Sequence, residues 1–66
     1  MKYKADFVDS KNYSFEIFGD SAAGYYLYVY SEGKCIKDHL QDTLDFAMEQ
    51  AHEDYGVPVN SWVRSD

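Results

Sequence analysis

Cysteine occurs once in these 66 residues, proline once and glycine four times. A single thiol, Cys35, excludes an internal disulfide, and the scarcity of glycine and proline excludes collagen-like and low-complexity chains. No apolar run approaches the roughly 20 residues a helix needs to cross a bilayer. The opening "MKYKADFVDS" has no apolar core of the signal-peptide kind. The expected location is therefore the cytoplasm, with no membrane partner. There is also no internal repeat.

The residues present are those of a globular chain, 45% hydrophobic and 18% aromatic, which argues against disorder. The length predicts one domain over 1–66. A chain this short buries a small fraction of its surface, so marginal stability and help from oligomerisation or a partner are expected.

Alternation organises the first half. Tyr3, Ala5 and Phe7 alternate with Lys4, Asp6 and Val8. "DSKN", residues 9–12, has turn composition, so a hairpin into "YSFEIF" with Tyr13, Phe15 and Ile17 on its apolar face is expected. "GDSAAG", residues 19–24, reads as a loop. "YYLYVY", residues 25–30, has the strongest strand composition in the chain. "SEGK" turns the chain at 31–34, and Cys35 to Lys37 is read as the lead into a helix.

That helix is placed at 39–55. Asp38 serves as N-cap with Gln41 at capping-box spacing, Gly56 as the αL terminator, and Pro58 as a stop. Leu40, Leu44, Ala47, Met48, Ala51 and Tyr55 then share one side as a core stripe. The expected fold class is α+β: a three-stranded, possibly four-stranded, antiparallel sheet covered on one face by a single α-helix, in ββ(β)α order. For the tail "VNSWVRSD", a short edge strand and packing of Trp62 on the helix are both open.

Charge is unevenly distributed. The chain has twelve acidic and six basic residues, a net charge of −6. Residues 38–55 contain Asp38, Asp42, Asp45, Glu49, Glu53 and Asp54 with no lysine or arginine, while the remainder balances to zero. On a helix, Asp38, Asp42, Asp45, Glu49 and Glu53 form one column, spaced by 4, 3, 4 and 4 and running roughly 22 Å. Like charges at i,i+4 oppose one another, and the dipole favours only those near the N-terminus. The ordinary reading is a solvated, solubilising face. The functional reading is an electrostatic face for a basic surface, with Phe46 at its edge, imitating the phosphate rows of a duplex.

Tyrosine supplies a second candidate. Tyr25, Leu27 and Val29 point to one side of their strand and Tyr26, Tyr28 and Tyr30 to the other. Whichever side the helix covers, the opposite side remains rich in amphipathic rings. These suit water, or a protein interface, of which a homodimer is the simplest case. Stacking of single-stranded bases is disfavoured by the net negative charge, so no direct nucleic-acid partner is expected.

Metal and catalytic constellations are weak. Cys35, His39 and His52 do not converge under this reading, and the expectation is one buried thiol and two surface histidines. No cofactor, metal or catalytic residue is assigned, and the chain is expected not to be an enzyme.

The acidic segment "DHLQDTLDFAMEQAHEDYGVP", the length and the tyrosine-rich sheet together resemble the small acidic inhibitors of phages and mobile elements, particularly anti-CRISPR proteins aimed at type I Cascade complexes. The resemblance implies a non-enzymatic inhibitor in the bacterial host cytoplasm that blocks a DNA-binding surface. Only the column Asp38, Asp42, Asp45, Glu49 and Glu53 carries over as its mimic of DNA. The alternative expectation is a toxin-neutralising immunity protein, or a dimeric interaction module, that works through the tyrosine face, Tyr26, Tyr28 and Tyr30, together with Trp62.

Overall fold

The computed structural model describes residues 1–66. Five antiparallel strands, β1 (Lys2–Ala5), β2 (Tyr13–Asp20), β3 (Gly24–Ser31), β4 (Lys34–Gln41) and β5 (Trp62–Arg64), form one sheet in the order β4-β3-β2-β1-β5. A single α-helix, α1 (Leu44–Tyr55), covers one face, and a short 3-10 turn at Val59–Ser61 leads into β5. The α+β class is as expected, but there are five strands rather than three or four. β4 takes the expected lead-in 35–37, the expected N-cap Asp38 and residues 39–41, which the sequence reading places in the first turn of the helix.

The centre of the sheet follows from alternation. Phe15 and Ile17 of β2 lie opposite Val29 and Leu27 of β3, and all four are fully buried. Each such side chain contributes about 1.5–3 kcal/mol by leaving water. Ala47 and Ala51, four apart and also fully buried, form the helix's contact line, and their small size lets its backbone approach the sheet. Leu44, Met48 and Tyr55 flank that line. Tyr55 meets Phe15 at 5.4 Å and, edge-on, Tyr13 at 6.4 Å between ring centroids.

The start of the helix departs from the sequence reading. Residues 38–41 belong to β4, and the N-cap is Thr43, whose hydroxyl accepts from the Phe46 N–H at 3.1 Å. Both Asp38 and Thr43 are competent caps, so tertiary pairing decides. Residues 34–41 pair along nearly all of β3, and a helix beginning at 39 would leave that strand's outer backbone groups unpaired. A two-residue turn supports the hairpin, with Glu32 at φ 52° and Gly33 at φ 79°, the handedness that matches twisted strands. One irregularity between Val29 and Tyr30 leaves Ile36 as the extra residue of β4.

The helix ends as its sequence indicates. Gly56 takes φ 75°, and its N–H donates to the His52 carbonyl at 2.9 Å. Val57 then turns under the helix and is fully buried. Of the two alternatives for the tail, the edge strand is the one realised. Trp62 begins the edge strand β5 opposite Ala5, and its ring packs against the core.

Candidate surfaces of the helix and the open sheet face

Two surfaces compete as the functional site. On the helix, the five-residue column is reduced to three. Asp38 lies on β4 opposite Tyr28, on the side of the sheet away from the helix, and Asp42 occupies the bend before the cap. Asp45, Glu49 and Glu53 remain in line and exposed, a column of about 12 Å rather than 22 Å. The physical reason is the capture of residues 38–41 by β3. Leu40 leaves the core stripe for the same reason and is 53% exposed on the far face.

What remains on the helix is still uncompensated. α1 carries Asp45, Glu49, Glu53 and Asp54 with no lysine or arginine, and none of the four has a salt-bridge partner. Asp45 lies in the first turn, where the dipole favours it, whereas Glu53 and Asp54 lie in the last, where it does not. Phe46 is 54% exposed and lines a shallow depression with Gln41, Glu49, Gln50, Glu53 and Asp54. Gln41 donates to Gln50 at 2.6 Å, tying the end of β4 to the helix beneath this patch.

The opposite face of the sheet has no covering element. Tyr26, Tyr28 and Tyr30 stand along β3 there; the period-two reading puts the three on one side of the strand and leaves open which side the helix covers. Tyr26 and Tyr28 stack at 5.9 Å with their planes 10° apart, and Tyr28 and Tyr30 follow at 6.3 Å. Cross-strand partners extend this column sideways into rows. Phe18 and Leu40 flank Tyr26, Glu16 and Asp38 flank Tyr28, and Ser14 and Cys35 flank Tyr30. β1 adds Lys2 beside Phe18 and Lys4 beside Glu16. Lys2 Nζ lies 3.7 Å from the Glu16 carboxylate. Crowding by neighbouring groups, then the nearby Glu16 carboxylate, pushes the Tyr30 hydroxyl's pKa up.

Phe18 and Leu40 were missed as members of this surface. Phe18 was legible, since it alternates with the inward Phe15 and Ile17. Leu40 was not, because its strand was read as helix.

Cys35 is exposed rather than buried, with its thiol donating to the Lys37 carbonyl at 3.4 Å. Its place beside Tyr30 on an edge strand accounts for this. His39 is half-buried on the helix side of β4, opposite Leu27, rather than at the surface. His39 Nε2 and Trp62 Nε1 are both buried without a hydrogen-bond partner. No three His, Cys, Asp or Glu side chains are grouped to hold a metal ion. No helix is long and apolar enough to cross a membrane.

No family model, curated protein or solved structure matches the chain.

Proposed function

We propose that this chain is a non-enzymatic interaction protein whose contact surface is the open face of its sheet. The observation that carries this reading is the stacked column Tyr26, Tyr28 and Tyr30, uncovered and flanked by Phe18 at 46% and Leu40 at 53% exposure. Tyrosine rings supply large contact area at little cost in side-chain entropy and keep a hydroxyl available for water or for a partner. Such a face suits a partner protein, as in a toxin-neutralising immunity protein or a dimeric module, acting in the cytoplasm.

A second reading belongs to the helix. The exposed Phe46 among Glu49, Glu53 and Asp54 offers an aromatic anchor within an acidic rim, a combination that complements a basic surface. On this reading the chain inhibits a nucleic-acid-handling complex of the Cascade type by covering its DNA-binding surface, an anti-CRISPR-like role. The loss of Asp38 and Asp42 from the column makes it the weaker of the two.

A photo-crosslinking residue placed at Tyr28 or at Glu49, in cells expressing the chain, separates them. Adducts are expected from position 28. Adducts from position 49 alone, with none from 28, would overturn the sheet-face reading in favour of the helix.

A further inference from the structure

We infer that the occupant of the open sheet face is a second copy of this chain, packed face to face about a two-fold axis that runs along the strands between β2 and β3. This rests on the reading of that face as a contact surface. The order of side chains across the face supplies the argument. In the central row, Lys4, Glu16, Tyr28 and Asp38 succeed one another from β1 to β4. A two-fold rotation about that axis lays β1 over β4 and β2 over β3 while preserving each row. Lys4 then meets the partner's Asp38 and Glu16 the partner's Tyr28, each contact occurring twice. In the next row Phe18 meets the partner's Tyr26, and the stem of Lys2 lies over the partner's Leu40. Aligned sheets pack within about 30° of each other. The outer positions therefore shift by a few Å, which the four-carbon lysine stem spans.

Charge on this face permits the approach although the chain as a whole is at −6. Lys2 and Lys4 balance Glu16 and Asp38, and Asp20 stands at the rim by the β2–β3 hairpin. The four helix carboxylates lie on the far side of each sheet. With layers spaced roughly 10 Å apart, the two helices are separated by about 30 Å, several Debye lengths at physiological salt.

The area is adequate for a reversible dimer. Strand spacing and length give the face a footprint on the order of 500 Å², so two copies bury roughly 1,000 Å², the lower bound of specific association. The sheet edges are poor alternatives for a second copy. β5 is three residues long, and β4 carries Lys34, Lys37 and a bulge, all of which oppose edge-to-edge pairing.

The experiment is sedimentation equilibrium of the full chain from about 1 to 500 µM at physiological salt, with circular dichroism to confirm that each variant is folded. The wild type is expected to pass from the 7.7 kDa monomer to twice that mass. Tyr28→Ser should weaken the dimer by about a hundredfold. Lys4→Asp and Asp38→Lys should each weaken it by about tenfold, and the two together should restore it to within about threefold, because only the combination re-forms the opposed pairs. Failure of the double variant to recover would overturn the two-fold arrangement. A dimer indifferent to Tyr28→Ser would do the same. A wild type monomeric throughout would overturn the second copy as occupant. Crosslinks from position 28 to another protein would then leave the contact reading standing, whereas none from that position would remove both.

Discussion

Along β3, Leu27 and Val29 are fully buried beneath the helix, whereas Tyr26, Tyr28 and Tyr30, one residue out of step, stand half-buried on the uncovered side. One strand thus carries two kinds of surface, and the difference lies in what each set does with water. The covered side gains its stability by excluding water altogether, through aliphatic chains with no polar atom to satisfy. The open side uses rings that tolerate water and remain available for contact. It follows that substitutions on the two sides should separate stability from association.

The largest contrast is between two phenylalanines three residues apart. Phe15 is fully buried and Phe18 is 46% exposed. Phe15→Ala should cost about 3–5 kcal/mol, comparable to the whole stability of a chain this size, at roughly 0.05–0.15 kcal/mol per residue. Loss of the folded circular-dichroism signal at 25 °C is expected. Phe18→Ala should cost less than about 1 kcal/mol in urea melts at low micromolar concentration. Similar losses at both positions would mean that the two faces are not distinct.

The division between faces depends on register, because a slip of one residue exchanges the two sets. Gly24 helps to hold that register where β3 meets the end of β4. It takes φ 116°, and a Cβ there would lie 2.5 Å from the Gln41 carbonyl oxygen. Gly24→Ala should therefore cost about 2 kcal/mol or more, combining backbone strain with a contact that the strand pair must open to relieve. Thermal melts measure this, and a neutral outcome would show that the β3–β4 pairing is looser than its geometry.

Next in size is the helix cap. Thr43→Ala should cost about 1 kcal/mol, and Asp38→Ala, measured on dilute monomer, less than about 0.5 kcal/mol. The reverse order would restore the longer helix and remove Asp38 from the open face.

The legibility of the chain followed the amount of water each segment excludes. In β2 and β3, residues of opposite character alternate because one side is fully buried, and that signal identified Phe15, Ile17, Leu27 and Val29 together with the opposed tyrosines. Gly56 marks the end of the helix through a left-handed φ that few residues adopt, and Pro58 through a ring and a missing N–H that cannot continue it. β4 is an edge strand, exposed at Lys34 through Asp38, so no apolar alternation records its pairing. Its Asp38 and Gln41 happen to have capping-box spacing, a local signal overridden by hydrogen bonding to β3. The candidate site was legible to the same extent. Tyr26, Tyr28 and Tyr30 kept their place, whereas Asp38 changed element and Leu40 changed face.

The smallest expected effect tests whether the outer face of the helix is more than solvated charge. Asp45 and Glu53 are eight residues apart on one exposed line but sit at opposite ends of the helix dipole. Glu53→Lys removes a repulsion with Glu49, replaces it with an attraction in the favourable i,i+4 order, and places a cation near the C-terminus. A gain of roughly 0.5 kcal/mol is expected at low salt. Asp45→Lys removes an anion from the first turn and should cost a few tenths of a kcal/mol. Both effects should shrink in 1 M NaCl, where the Debye length falls to about 3 Å. Opposite signs at the two ends, measured by urea melts, would show that Glu53 is held against the preference of its own helix. A carboxylate retained at that cost to folding points to a role in contact, whereas two null results would leave the acidic line with the character of a solubilising surface and the open sheet face as the stronger candidate for contact.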